Sequence, residues 1–125
     1  MNRRVLVVDD EPDIREIAVL ALERLAGWTV LTAADGEQAI ALAEQEQPEA
    51  IILDVMMPGM DGPQTARRLA ANPATAHIPV LLLTAKAMSA EKAQLASGPV
   101  TAVLTKPFDP TRLAADIESA LGWQR

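Results

Sequence analysis

The sequence predicts an α/β domain built on a doubly wound sheet of five parallel strands. Two observations predict it. Short apolar runs such as Val5-Leu6-Val7-Val8, Ala50-Ile51-Ile52-Leu53 and Val80-Leu81-Leu82-Leu83 alternate five times with longer stretches of helical period. Strands covered on both faces read as unbroken apolar runs, and alternation with helices argues a parallel sheet. Half of the 125 residues are hydrophobic, which is ample for one packed core, and a second folded domain has no room. Residues 1–125 are therefore expected to be a single domain without a fused output domain.

Each element has its own signals. Strand 1 falls at 4–8. The first helix starts near Pro12, a good first-turn residue, carries Ile14, Ile17, Ala18, Ala21 and Leu25 at helical spacing, and ends at Gly27. Strand 2 is expected at 28–33. Asp35-Gly36 opens a second helix that runs to Glu46, with Ala39, Ile40 and Ala43 on one side, and Pro48 closes it. Strand 3 at 50–54 precedes a helix over about 62–71 that stops at Asn72-Pro73. Strand 4 at 79–84 precedes a polar, alanine-rich helix near 89–97, whose few large apolar residues predict weak packing and the greatest mobility. Strand 5 at 101–105 leads to a helix from Pro110 to Leu121 that buries Leu113, Ile117 and Leu121, and Arg125 closes a fraying tail.

Composition narrows the function classes. The net charge is -6, and eleven basic residues are scattered among seventeen acidic ones, with Arg67-Arg68 the only adjacent basic pair after the N-terminus. Duplex binding needs clustered Lys and Arg, so direct nucleic acid binding is not expected, and the pair reads as a solvated helix face. No apolar run approaches the roughly 20 residues that cross a bilayer, and Met1-Asn2-Arg3-Arg4 leads straight into a strand without a signal pattern, so the expectation is a cytoplasmic protein with no membrane contact. Cysteine is absent, which excludes disulfides and thiolate metal sites.

The strand ends carry the chemistry. Ligands of an open α/β sheet bind beyond the carboxyl ends of its strands, and there the chain places Asp9 and Asp10, Asp54, Thr84 and Lys106. Each alone has a bland explanation: helix capping or turn formation for an Asp, an ordinary strand end for Thr84, a solvated lysine for Lys106. Chance does not readily put all five at the same end of four strands. Three carboxylates held close need a cation, a basic partner or shared protons. An oxygen-rich, thiol-free site suits Mg²⁺, and ammonium and hydroxyl donors complete a cradle for a phosphoryl group. Asp54 is the candidate nucleophile, since an Asp carboxylate can form an aspartyl-phosphate. The proline and glycines of Met57-Pro58-Gly59-Met60-Asp61-Gly62 can set a tight loop beside it, in which Met56 offers its backbone oxygen. His77 lies at the wrong edge of the sheet and reads as structural, Trp28 and Trp123 as packing residues, and Met56, Met57, Met60 and Met88 as core or rim fillers.

With VLVVDDEPDIR, ILDVMMPGMDG, LLLTAK and LTKPF in order along the chain, the sequence resembles the response-regulator receiver family of two-component signalling, in the manner of single-domain chemotaxis receivers. The resemblance covers essentially the whole chain. It implies a flavodoxin-like (βα)5 fold with strand order 2-1-3-4-5. It implies further that Asp54 accepts a phosphoryl group from a phosphohistidine on a sensor histidine kinase or a histidine phosphotransfer protein, and that an output partner is then bound. Asp10, Asp54 and the Met56 carbonyl would bind Mg²⁺, Asp9 would support the metal through water, and Thr84 and Lys106 would hold the phosphoryl oxygens. The Lys106-Pro107 bond would be cis. Catalysis would extend only to the chain's own phosphotransfer and slow dephosphorylation, so no enzyme in the usual sense is expected.

Two departures stand out. Receivers commonly carry a Tyr or Phe three residues before the lysine, and here that position is Val103; Ser97-Gly98-Pro99 also replaces the common Gly-Ala. A valine does not swing in and out as a ring does, which places the usual readout through the last helices in question. Two other functions share the acidic set: a Mg²⁺-dependent phosphohydrolase of small molecules, which would need an acid or base near Asp54 where Met56 stands, and an interaction domain indifferent to phosphorylation.

Overall fold

The computed structural model describes residues 2–85 and 89–123, with the backbone course alone at 89–92. The expectations for Lys86 within its motif, for Met88 and for Arg125 lie outside the described residues. Five strands, β1 (Arg4–Val8), β2 (Thr29–Ala33), β3 (Ala50–Asp54), β4 (Val80–Thr84) and β5 (Ala102–Thr105), pair in parallel in the order β2-β1-β3-β4-β5. The predicted strands agree to within a residue at each end. Helices α1 (Pro12–Leu20), α2 (Gly36–Glu46), α3 (Gly62–Ala71), α4 (Ser89–Ala96) and α5 (Leu113–Leu121) connect and cover them.

Two cores form because successive residues of a strand face opposite sides. Val5, Val7, Ile52, Leu81 and Leu83 pack on one side with Leu22, Leu113 and Ile117, while Leu6, Val8, Ile51, Leu53 and Leu82 pack on the other with Ala39, Ala43, Ala66 and Leu69. Each fully buried leucine or isoleucine contributes about 1.5–3 kcal/mol, so the sheet is a rigid platform. Trp28 is buried in the first core and meets Trp123 edge to face at 5.8 Å between ring centres, with Arg3 stacked 4.4 Å over Trp123. Both tryptophans thus pack as expected, and Arg3 ties the start of the chain to the end of α5. His77 lies exposed in the turn before β4, at the strands' N-terminal edge.

The first helix departs from the expected stripe. α-Helical bonding stops at Leu20 and Ala21–Leu25 continue as a π-turn, whose wider i→i+5 winding rotates the residues that follow. Burial falls on Ala18, Ala21 and Leu22, whereas Leu25, turned outward, is 62% exposed, and Ile17, at the stripe's edge, is 40% exposed. The last helix also starts late, at Leu113. The Asp109 carboxylate accepts the N–H and hydroxyl of Thr111 at 2.9 and 2.7 Å, a local turn that competes with helix at Pro110. Leu113 and Ile117 are buried as predicted, and Leu121 only in part. α2 ends at Gln47 in the left-handed conformation, one residue before Pro48.

The loop after β3 is held at both ends. A capping box closes it: Gln64 N–H donates to Asp61 Oδ1 at 2.8 Å, and Asp61 N–H donates to Gln64 Oε1 at 3.0 Å. Gly59 supplies a positive φ of 75° at the turn. Gly62 packs so tightly on the end of β3 that a Cβ there would lie 2.5 Å from the Asp54 carbonyl oxygen. Gly62→Ala is expected to lower stability by about 1–3 kcal/mol, the usual effect of overpacking against backbone; an unchanged urea midpoint would contradict this close approach.

Candidate functional site

The order of the sheet selects the location of the site. The chain leaves β1 for β2 on one side and returns past β1 to β3 on the other, so the connections diverge beyond the C-terminal ends of β1 and β3, where open α/β sheets form a crevice. Val8 is in register with Leu53, and Asp54 with Leu83. The residues next in line, Asp9 and Asp10 after β1, Asp54 at the end of β3 and Thr84 at the end of β4, therefore gather at one edge. Lys106 directly follows β5.

Carboxylate oxygens of Asp9, Asp10 and Asp54 all lie within 4.8 Å of one another. Asp9 and Asp54 are 1% and 4% exposed and Thr84 is 2% exposed, while Asp10 is the most open of the three acids. The Lys106 ammonium donates to Asp9 Oδ2 at 2.9 Å and to Asp54 Oδ1 at 3.0 Å. The other oxygen of Asp9 accepts the Glu11 N–H at 3.0 Å, and Arg15 Nη1 donates to the Asp9 carbonyl at 2.6 Å, so Asp9 is held rigidly on the first turn of α1. Met56 is 70% exposed, and among the described residues its carbonyl accepts no hydrogen bond. Lys106-Pro107 is cis.

The electrostatics follow from burial and proximity. Burial, the largest influence, raises the Asp54 pKa above its usual carboxylate range, and the charges of Asp9 and Asp10 push it further, against the hydrogen bond from Lys106. Burial opposes the charge on Lys106, but hydrogen bonds to Asp9 and Asp54 outweigh it and raise its pKa. The site therefore has an excess of negative charge that one ammonium only partly balances. The donor set consists of hard oxygens and keeps an accessible carboxylate in Asp10, which fits a divalent ion such as Mg²⁺. Lys106 is thus the basic partner that the clustered carboxylates were expected to need; which two of the three it would bridge was not legible in the chain. That link joins residues 97 positions apart in the chain, and only the strand order brings them together.

A doubly wound sheet with an acidic crevice at its switch point and a lysine across it defines a class of small α/β domain able to receive an anionic group. The chain belongs to the response regulator receiver domain family, which matches residues 5–118. It is 39% identical over 121 residues to the phosphate regulon transcriptional regulatory protein PhoB of Pseudomonas aeruginosa, covering 97% of this chain and 52% of that one. With the response regulator PleD of Caulobacter vibrioides it shares 43% identity over 121 residues, covering 95% and 26%. The chain thus spans about half the length, or less, of the curated relatives it matches. Among solved structures, the chemotaxis protein CheY4 of Vibrio cholerae superposes with a TM-score of 0.87 at 32% identity, covering 96% of this chain and 99% of that one. The receiver domain of a Pseudomonas aeruginosa sensor histidine kinase, solved with a magnesium ion in its active site cleft, gives 0.85 at 28% identity, covering 98% and 99%.

The excess negative charge has a measurable consequence in metal-free protein. Because the folded chain holds the Asp54 proton more tightly than the unfolded chain, it binds more protons between the two pKa values, and stability falls as pH rises through that window. Asp10→Ala removes one source of the shift. It is expected to stabilise the metal-free protein at neutral pH by about 0.5–1 kcal/mol, the scale for a partly exposed charge, with the gain lost as the pH falls and the carboxylates protonate. Thermal melts of the variant at or below wild type at pH 7 would contradict this reading.

Proposed function

We propose that residues 1–125 act as one phosphorylation-switched receiver domain, in which Asp54 accepts a phosphoryl group from a phosphohistidine on a sensor histidine kinase or histidine phosphotransfer protein and partner binding changes in consequence. The observation that carries this reading is the Lys106 ammonium shared between Asp9 and Asp54. An Asp54 oxygen attacks phosphorus, the O–P bond forms as the P–N bond to the imidazole breaks, and the imidazole leaves with the bond electrons. Lys106 is close enough to move from the Asp54 oxygen to a phosphoryl oxygen while keeping Asp9, and so balances the incoming charge. Asp10, Asp54 and the Met56 carbonyl are the groups that would hold Mg²⁺, with Asp9 behind them; the ion would neutralise charge on the phosphoryl oxygens. Thr84, buried at the end of β4, supplies a hydroxyl to the modified residue.

The consequence is a population shift, since the new charge is better satisfied in one of two arrangements of the β4 and β5 ends. Val103, half-buried in the second core, has no ring to reorient. The switch therefore acts through Thr84 and the backbone of β4. The donor has a surface to meet. Ile14 and Ile17 border Lys106 in a shallow apolar pocket with Pro107 and Phe108, and exposed Leu20 and Leu25 extend the patch along α1 and the π-turn that follows it. A protein donor that lays an apolar helix there brings its phosphohistidine to the crevice.

Incubation with acetyl phosphate and Mg²⁺ is expected to add one phosphoryl unit to the intact mass of wild type and none to Asp54→Asn. Addition that persists in that variant, or that fails in wild type, would overturn the reading. Ile17→Asp is expected to slow transfer from a phosphohistidine protein at least about tenfold while leaving labelling by acetyl phosphate unchanged, because only the former needs the apolar patch. Equal slowing with both donors would place Ile17 in the chemistry instead.

A further inference from the structure

A second cavity opens between α3 and α4, behind the acidic crevice. Its volume is about 580 Å³, and its apolar walls include Ala66, Leu82, Leu95 and Val100. Pockets of this size hold small organic ligands, which they grip by apolar walls and orient by a few polar groups. Arg67 lies at this cavity and is exposed. Its neighbour Arg68 pairs with Glu37 at 3.4 Å, whereas Arg67 has no ion pair or hydrogen bond among the described residues. On a chain of net charge -6, an unpaired guanidinium beside an apolar hollow is complementary to a ligand with one anionic end. Guanidinium and carboxylate match as two parallel hydrogen bonds.

We propose that the α3–α4 cavity binds a small amphiphilic monocarboxylate, with its hydrocarbon part among Ala66, Leu82, Leu95 and Val100 and its carboxylate on Arg67. Val55, Met56 and Thr84 also line this cavity, and the same residues flank Asp54. A ligand there and a phosphoryl group on Asp54 bias the same strand ends. By reciprocity each changes the affinity for the other. This coupling rests on the phosphoryl reading of the crevice; binding in the cavity does not.

The probes are octanoate and 3-phenylpropionate, with 1-octanol as the uncharged control, titrated into ¹⁵N-labelled protein and followed by amide signals. Both acids are expected to shift Ala66, Leu95 and Val100 saturably, with apparent Kd below about 1 mM. Arg67→Gln is expected to weaken the acids about tenfold and leave octanol unchanged. Gly98→Leu places a large side chain on the cavity wall without backbone conflict, since a Cβ at Gly98 meets its nearest atom, the Leu95 carbonyl oxygen, at 3.6 Å; it is expected to block the cavity and abolish the shifts while uptake of beryllofluoride and Mg²⁺ shows the fold intact. Saturating octanoate is expected to move the beryllofluoride midpoint at least about threefold. The absence of saturable shifts, their persistence in Gly98→Leu, or octanol binding as tightly as octanoate would overturn the site, and an unchanged midpoint would overturn the coupling. Beryllofluoride uptake without cavity shifts defeats this inference alone. Cavity shifts without uptake defeat the phosphoryl reading alone.

Discussion

A lysine ammonium held between two buried carboxylates governs the carboxyl edge of this sheet. Asp9 and Asp54 are nearly inaccessible, and Lys106 reaches both at hydrogen-bond distance. Without it, two charges at strand tips would face a low-dielectric interior, and breaking such a pair by removing one partner leaves an uncompensated charge that costs several kcal/mol. The bond therefore joins the β1, β3 and β5 ends into one unit. It also leaves that unit unfinished, because Asp10 adds a third negative charge that the ammonium does not balance. In the proposed function that spare negative charge is what a metal ion would balance, and the ammonium is what a phosphoryl oxygen would meet.

The scaffold supports that edge by rigidity in some places and looseness in others. The strands under Asp54 are fully buried on both faces, and Gly62 with the Asp61 capping box clamps the following loop onto β3. Asp9 is fixed by α1's first turn. On the outer surface, the π-turn in the first helix rotates Leu25 to solvent and leaves an apolar face beside the crevice. In the proposed function this is the face that a phosphohistidine protein covers. The acidic crevice, the α1 face and the α3–α4 cavity are neighbours: Ala85 lines both hollows, and Lys106 and Thr84 stand where each meets the crevice.

Much of the fold and the candidate site was legible in the chain, and the residues show why. Apolar runs of three or four residues mark strands, and Asp9, Asp10, Asp54, Thr84 and Lys106 stand within two residues of the ends of those runs, so position along the strand already implied a common edge. Gly27 and Asp35 marked helix ends by backbone and capping chemistry that is local. Leu25 shows where this logic fails. Its spacing fits a 3.6-residue period, yet a π-turn over residues 21–25 decides its exposure, and no side-chain pattern records that turn. Asp109 and Thr111 similarly delay the last helix by a local hydrogen bond that competes with Pro110 as a helix starter.

By itself the sequence determined which residues are strand, which are helix, and which polar groups stand at strand ends, because hydrophobic period and capping act over a few residues. The family motifs added the expected order of the strands. Tertiary structure alone decided which carboxylates Lys106 bridges, that Arg67 stands beside a cavity without an ion pair among the described residues while Arg68 is paired, and that Gly62 must lack a side chain. Each of these depends on distances between segments far apart in the chain, set by how the sheet and helices pack.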